Sequence, residues 1–514
     1  MTIVIVAATV LGLALRLYQL SRPGYLLGVT EYDDGTDFGS AVRLAYGHLP
    51  YRDFIIVQPP GITLLMFPVA LLTKGFGVAR GMAVARIVTA VAGAASVPLA
   101  GLLVRHRGLL AAMVACGIAA VYPPSIQSAH TVLLEPWLVL FCLAGAVAVF
   151  DGDRLTSSTW RLAWGGAAFG FAGAVKVWAV LPVVVILALA ASRPRRAASY
   201  LAGVVAGFLI PVLPFAAAAP RTFYNSVIVA QLIRVDEVRT GLAFRLREMT
   251  GLTDVAGLGL VSLIIISVAL IAAVTACSVA ASRMTGCRPP ALELFAFGTA
   301  VLVVAAFLWP ADFYYHYAGF LAPFLALAIA LPLSRLVPAA GPVAGPAAGG
   351  PAGAARRLAT LAVGVAGLAI VIMAAVQFGQ EADLRPGLPQ ADVAAAQRII
   401  PPGACVLADQ VSYTIAADRF ISQVPGCSAM VDSVGTDYSL SGGRNAATGA
   451  ARSPAVRAAW LAALRPAQYV WLSSLAAKRV PWGAPEITSY FTRNFVPVPG
   501  GPRGLYIRKG LHPR

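Results

Sequence analysis

Charge is scarce in this chain. Charged residues make up only 12% of its 514 residues, and lysine occurs four times. Soluble domains carry about 25% charged residues, so this scarcity excludes a soluble protein as the whole molecule. Hydrophobic residues make up 59%, and the mean hydropathy is +0.77. The composition therefore predicts an all-α protein that crosses a membrane many times.

Cysteines and nucleotide-binding or metal-binding motifs are also few. Six cysteines in 514 residues do not form a disulfide scaffold. The sequence has no P-loop, no GxGxxG after a predicted strand, no HExxH and no CxxC pair, so ATP-driven transport and zinc chemistry gain no support. The net charge of +17 is explained by basic loops at a membrane surface, and no nucleic-acid partner is expected.

Long apolar runs define the predicted spans. A span needs roughly 20 apolar residues to cross about 30 Å of hydrocarbon. We expect about eleven transmembrane helices, near residues 2–20, 82–104, 109–123, 132–150, 162–175, 177–191, 199–218, 256–281, 291–309, 318–335 and 358–377.

The loops between these runs differ in charge. With an inside N-terminus, five inward loops hold twelve arginines and only Asp151 and Asp153 as acids. This bias fits the preference of basic residues for the cytoplasmic side. Eleven spans then place the C-terminus outside, in a multi-pass protein of the cell membrane. Arg80 and Arg86, at the start of the second run, are expected to extend to lipid headgroups.

The chain divides into a transmembrane domain, 1–377, and an extracytoplasmic tail, 378–514. Within the first, residues 21–81 and 219–255 form long outward loops. The tail has the composition of a soluble domain, and 405–409, 468–473 and 504–508 have the pattern of short strands. We therefore predict a small α/β domain there.

Two cysteines, Cys405 and Cys427, lie in this predicted tail. Outside the cytoplasm they can pair as a disulfide. The alternative from sequence is two free, buried thiols.

The first outward loop is rich in acids. Four carboxylates fall within seven residues, at Glu31, Asp33, Asp34 and Asp37. A solvated acidic loop is the simplest explanation. Held beside a membrane, however, a carboxylate can take a proton from a hydroxyl or bind a divalent metal. Glycines and prolines further along, including Gln58-Pro-Pro-Gly61, indicate a built turn.

Charged and aromatic residues also lie at the predicted outer ends of spans. Glu135 stands at the start of an apolar helix, where it is either functional or an acid that favours the helix dipole. His130 precedes it and either joins the site or caps structure. Lys176 interrupts an apolar stretch, where it either extends to lipid headgroups or binds a phosphate. Tyr315 and His316 are either interfacial anchors or ligands for phosphate or sugar.

Together these features resemble the GT-C superfamily of polyprenyl-phosphate-sugar-dependent glycosyltransferases. An anchor helix, an outer acidic loop, the stretch Gly47-His-Leu-Pro-Tyr-Arg-Asp53, the Pro59-Pro60 motif, many spans and an outer α/β tail are similar to its protein O-mannosyltransferase and aminoarabinose-transferase-like branches. That family places an Asp-Glu pair in the first outer loop, with the aspartate as catalytic base. Here the aspartate falls on Asp34, but Gly35 stands where the glutamate is expected. Asp33 is the alternative base.

The resemblance implies catalytic roles for Asp34, Asp33 and Glu135. It assigns donor phosphate or sugar binding to Lys176, His316, Tyr315, His130, Asp37 and Gln58. The expected reaction is inverting transfer of a hexosyl or pentosyl unit, such as mannose, from a polyprenyl-phosphate donor to a glycan, lipid or protein of the cell envelope. The resemblance makes no cofactor certain, and the acidic loop could hold a divalent metal. A lipid-linked substrate transporter or flippase and an envelope polymer ligase are the alternatives.

Overall fold

The computed structural model describes residues 1–235, 239–253, 255, 257–337, 351–383 and 387–512. For 351–356 and 383 only the backbone is described. Helices dominate the first part, in the order α1 Thr2–Ser21, α2 Asp33–Ala45, α3 Gly61–Phe76, α4 Val78–Val104, α5 Leu109–Val121, α6 Pro123–Gln127, α7 Leu134–Val149, α8 Thr159–Val175, α9 Val180–Ala190, α10 Pro194–Ala218, α11 Pro220–Phe223, α12 Ala230–Leu232, α13 Leu242–Thr250, α14 Leu260–Thr285, α15 Ala291–Leu308, α16 Ala318–Leu336 and α17 Pro351–Asp383.

Each of the eleven predicted spans lies on one of these helices. Among the described residues, seven helices are long and apolar enough to cross a membrane, and shorter apolar helices lie between them. The predicted class, a helical multi-pass membrane protein, is confirmed. The count of eleven stays a prediction, because α3 is a further apolar helix inside the predicted outer loop 21–81.

Glycines let α8 and α10 pack backbone against backbone. A Cβ on Gly166 would lie 2.2 Å from the Tyr200 carbonyl oxygen, and one on Gly203 would lie 2.0 Å from that of Ala163. Small residues four apart are the usual means of close helix packing in membranes. Because Lys176 directly follows α8, this packing fixes where that lysine lies.

A tight hairpin joins α7 to α8, with β1 Phe150–Asp151 antiparallel to β2 Arg154–Leu155. The tail contains α18 Gln390–Ile399, β3 Val406–Ala408, α19 Val411–Ala416, α20 Ser433–Ser441, α21 Pro454–Leu464, β4 Tyr469–Trp471, α22 Ala476–Arg479, α23 Pro485–Asn494, β5 Phe495–Pro497 and β6 Leu505–Arg508.

The tail strands form one sheet in the order β3-β4-β6-β5. β3 and β4 run parallel, with Val406 opposite Tyr469, and the other pairs are antiparallel. All three predicted strands are therefore present, and the α/β tail is confirmed. The sulfurs of Cys405 and Cys427 are bonded to each other, so the disulfide is present and the alternative of free thiols is wrong. The domain boundary at 377 stays a prediction, since α17 continues to Asp383.

Candidate functional site

The acidic loop folds as the first turns of α2. Asp33 and Asp34 lie in its first turn, where acids interact favourably with the helix dipole. Asp37 follows Asp33 by four residues, so the two side chains lie on the same face of the helix. Asp34 points to another face and has different neighbours. The loop therefore separates its aspartates into two environments.

Asp34 is enclosed. Its side chain has no solvent exposure, and Arg86 Nη2 donates to its Oδ2 at 2.8 Å. The hydroxyls of Thr30 and Thr131 donate to the same oxygen at 2.7 and 2.6 Å. Ser412 Oγ donates to Oδ1 at 2.9 Å. Both carboxylate oxygens are thus occupied by protein donors.

These donors decide the protonation of Asp34. Burial alone would raise the pKa of Asp34, but the Arg86 charge and the hydrogen bonds from Thr131 and Thr30 outweigh it and lower the pKa. A lowered pKa makes the Asp34 carboxylate a weaker base, and both of its oxygens already accept hydrogen bonds from protein donors. The assignment of Asp34 as the base stays a prediction, and this geometry favours the alternative, Asp33. Arg86 does not extend to headgroups, because it is buried against Asp34.

Asp33 is the exposed member of the pair. Half of its side chain is accessible, and its Oδ2 lies 3.7 Å from Nε2 of His316. The other ring nitrogen of His316, Nδ1, lies 2.9 Å from Oε2 of Glu135. The imidazole therefore stands between an accessible carboxylate and a fully buried one.

Glu135 also holds Lys176. Lys176 Nζ donates to Glu135 Oε1 at 2.6 Å, and its ammonium lies 3.8 Å from the ring centroid of Trp178 and 4.1 Å from that of Tyr317. Such ring contacts stabilise a cation that has left water. Lys176 is only 4% exposed, so it does not extend to lipid headgroups. The ion pair brings together residues that are 41 positions apart in the sequence.

Asp37 is buried near Asp33, Glu135 and Lys176. Among the described residues, its Oδ2 has no hydrogen-bond partner. Burial, and then the charges of Asp33 and Glu135, raise the pKa of Asp37 well above its usual value. The raised pKa favours the neutral acid, the form that can donate a hydrogen bond.

Glu31, His130 and Tyr315 form a second group next to Asp33 and His316. Tyr315 Oη donates to Glu31 Oε1 at 2.7 Å, and His130 Nε2 lies 4.0 Å from the same oxygen. Burial raises the pKa of Glu31 to about 7 and lowers the pKa of His130 to about 4. His130 is thus neutral, and Glu31 titrates near neutral pH.

Gln58 does not join either group through a described contact. Its carbonyl oxygen accepts a hydrogen bond from Tyr51 Oη at 2.5 Å. Tyr51 adopts a positive φ of 66°, which is uncommon for a bulky residue. The contact therefore stabilises the turn of the outer loop.

The tail contributes residues that the sequence did not point to. Ser412 Oγ and Gln410 Nε2 both donate to the Glu31 carbonyl oxygen, at 2.6 and 2.8 Å. Tyr32 Oη donates to Asp432 Oδ1 at 2.8 Å. Nothing in the spacing of these polar residues links them to the outer loop, because the contacts span about 380 to 400 residues. For Arg86, in contrast, the sequence did give a signal, because a charged residue there interrupts an apolar run.

The part of the chain that the structure describes offers no ligand set for a divalent metal. Among the described residues, no group of three His, Cys, Asp or Glu side chains is arranged to hold a metal ion. The nearest carboxylates are instead paired with Arg86, Lys176 or His316. The site therefore offers proton transfer and anion binding through its own side chains.

The fold resembles that of GT-C glycosyltransferases. The chain is similar to ArnT from Cupriavidus metallidurans bound to undecaprenyl phosphate, with a TM-score of 0.55 and 15% identity over 81% of this chain and 84% of ArnT. It is also similar to the oligosaccharyltransferase of Archaeoglobus fulgidus, with a TM-score of 0.51 and 12% identity over 91% of this chain and 67% of that one.

The sequence itself points to one family within that class. The model of glycosyltransferase family 87 matches residues 57–308. No curated protein matches the chain in sequence. The predicted resemblance to the GT-C superfamily is confirmed.

Proposed function

We propose that this chain transfers a hexosyl or pentosyl unit from a polyprenyl-phosphate donor to an acceptor on the extracytoplasmic side of the membrane. One observation carries the proposal, a row made of an exposed carboxylate, an imidazole, a buried carboxylate and an ammonium (Asp33, His316, Glu135 and Lys176). The row places a base next to an imidazole and an ammonium, as the reaction requires.

Asp33 serves as the base. It accepts the proton of the acceptor hydroxyl while that oxygen forms a bond to the anomeric carbon of the donor sugar. The bond from that carbon to the phosphate oxygen breaks, its electron pair leaves with polyprenyl phosphate, and the configuration inverts. General-base assistance of this kind contributes about 10²–10⁴-fold. Asp34, paired with Arg86, holds the start of α2 in place.

Glu135 positions Lys176 and His316. A single buried carboxylate between His316 and Lys176 keeps both groups at the same face of the site. Positive groups fixed in advance stabilise the charge that develops on a leaving phosphate. Asp37, as a neutral acid beside them, donates to a hydroxyl of the donor sugar. In this proposal Glu31, Tyr315 and His130 line the site next to Asp33.

Three further observations support the proposal. ArnT, whose fold is similar, binds undecaprenyl phosphate, which suggests the class of donor. The arginine bias of the loops favours an outward active site. The Cys405–Cys427 disulfide fits a tail outside the cytoplasm. The acceptor class, whether glycan, lipid or protein, is left open by these observations.

The test uses the full chain in liposomes with labelled polyprenyl-phosphate hexoses and pentoses. Asp33→Asn should lower turnover about 10²–10⁴-fold, while undecaprenyl phosphate, and not undecaprenol, still raises its Tm. Asp37→Asn should keep most activity at neutral pH, because it mimics the neutral acid. Asp53→Asn, at an exposed position of the same loop paired with Arg52, is the control.

Two results would contradict the proposal. One is an Asp33→Asn variant as active as the wild type. The other is a wild-type protein that moves the labelled lipid between leaflets without releasing polyprenyl phosphate. The second result would favour a transporter, although the charges of the described spans lie mainly near helix ends.

A further inference from the structure

The tail contains a large open cleft that the proposed reaction does not use. Its volume is about 550 Å³, within the range of about 300–1,000 Å³ usual for small-molecule sites. One wall comes from α23 and from the segment before it. The other sides come from the ends of β4 and β6, the start of α18, and α19.

One wall of the cleft is aromatic. The rings of Trp482 and Phe491 lie 5.1 Å apart, and those of Phe491 and Tyr506 lie 4.9 Å apart. Phe491 is buried, whereas Trp482 and Tyr506 are half-buried and line the open space. Thr488 Oγ1 donates to the Trp482 carbonyl oxygen at 2.7 Å, which fixes the turn that carries the indole. The ring planes are inclined to one another by 59° and 71°, so a single half-buried ring, such as the Trp482 indole, offers its own face to a ligand with an apolar face.

The charged groups that line the cleft are balanced. Asp392 supplies one negative charge and Arg503 one positive charge, with the hydroxyl of Ser474 between strand and helix. A site for phosphate would need an excess of cations, which this lining does not provide. Hydroxyl-rich rings with one apolar face match both walls. The chemistry therefore favours a neutral glycan.

The cleft is joined to the acidic loop by two short connections. Leu388 lines the cleft and pairs with Val29, next to which the Gly387 N–H donates to the Val29 carbonyl oxygen at 2.9 Å. Tyr413 also lines the cleft, and the preceding residue, Ser412, is bonded to Asp34. A molecule in the cleft is thus held on the same segment that holds α2.

We infer that this cleft binds neutral sugar units of a glycan acceptor, at a distance from the hydroxyl that reacts at Asp33. The inference rests on the proposed function and names the acceptor class that it left open. Trp482 stacks on the apolar face of a sugar ring, and Asp392 and Arg503 bond its hydroxyls. Binding energy from this remote part of the acceptor then positions its reactive end.

Binding and transfer are measured separately in the test. The probes are neutral oligosaccharides of mannose and of arabinose with two to six units, titrated calorimetrically into the full-length protein in detergent. An unstructured neutral peptide is the comparison. The wild type should bind at least one oligosaccharide series and not the peptide. Trp482→Ala should weaken this binding at least tenfold, and Arg503→Ala, at an exposed position, should also weaken it.

Tyr490→Ala is the matched control, because Tyr490 lies on α23 but lines a different surface. In the transfer assay Trp482→Ala should raise KM for a glycan acceptor tenfold and leave kcat within twofold. Asp33→Asn should lose transfer yet bind oligosaccharide as the wild type does, which separates this inference from the proposed function. Absence of oligosaccharide binding by the wild type, preference for the peptide, or unchanged binding by both cleft variants would overturn the inference.

Discussion

Ser412 Oγ, in the tail, lies 2.9 Å from Asp34 Oδ1, in the first outer loop. The same hydroxyl lies 2.6 Å from the Glu31 carbonyl oxygen, so a single proton is shared between two acceptors. The contact joins residues 378 positions apart. The tail therefore packs against the acidic loop, and α19 contacts the start of α2.

Removing this hydroxyl should loosen the start of α2. We expect Ser412→Ala to cost about 1.5–3 kcal/mol, the range for a hydrogen bond to a charged group, and to lower kcat more than it raises KM for the donor. Thr414→Ala is the matched control, because Thr414 lies on the same helix but bonds only the Val411 carbonyl oxygen. Equal effects of the two variants on kcat would contradict a positioning role for Ser412.

Gly35 leaves room for this contact. A Cβ at Gly35 would lie 2.5 Å from the backbone nitrogen of Ser412 and 2.9 Å from its Cα, and backbone atoms cannot move aside as a side-chain end can. Gly35→Ala should therefore destabilise the protein by about 1–3 kcal/mol and lower its Tm. Gly75→Ala, in α3 with open space around it, should change the Tm little. A stable Gly35→Ala protein with wild-type activity would show that α19 does not press on α2.

The same geometry explains a departure that the sequence left unexplained. The GT-C pattern expects a glutamate after the aspartate, and this chain has Gly35. A glutamate there would collide with α19, so the second acid of the pattern is excluded by the tail. Asp33, on the other side of Asp34, supplies the accessible carboxylate. The difference in exposure between the two adjacent aspartates depends on contacts of Ser412 and Arg86, which lie far away in sequence.

Periodicity and composition predicted the helices and the tail strands, because these patterns are local. They also placed the acids, Glu135 and Lys176 at one end of the bundle. They did not predict which charges pair. Lys176 and Arg86 both interrupt apolar runs, and extension to headgroups and burial against a carboxylate produce the same sequence pattern. Only the packing of α4, α7 and α8 distinguishes the two outcomes.

The buried pair of Arg86 and Asp34 leads to a further prediction. Arg86→Met leaves a buried carboxylate without its counter-charge, which should cost about 3–5 kcal/mol. The double variant Asp34→Asn with Arg86→Met removes both charges and should cost less than Arg86→Met alone. Arg80→Met, on the same helix at an exposed position, is the control. Unfolding free energies in mixed micelles measure the difference, and a double variant worse than the single one would contradict the pairing.

Asp432 links the tail to the acidic loop in a way that depends on pH. Its Oδ1 accepts from Tyr32 Oη at 2.8 Å and from the Gly435 N–H at 2.6 Å. Burial raises the pKa of Asp432 to about 6, although the hydrogen bonds from Gly435 and Tyr32 oppose the shift. An ordinary aspartate titrates near about 3.9. Between these values the folded protein holds a proton that the unfolded chain has released.

The contribution of Asp432 to stability is therefore full below about pH 4 and is lost as pH rises through about 6. Asp432→Asn keeps a neutral group there and lacks this dependence. As the pH rises from about 4 to about 7, the Tm of the variant should rise relative to that of the wild type. Above that range this difference in Tm, the gap, should stay constant. Thermal unfolding in detergent at stepped pH measures it, with Asp151→Asn, at an exposed position, as the control. A gap that is the same at every pH would mean that Asp432 has the same pKa in the folded and the unfolded chain, and that the contact between Tyr32 and the tail does not depend on pH.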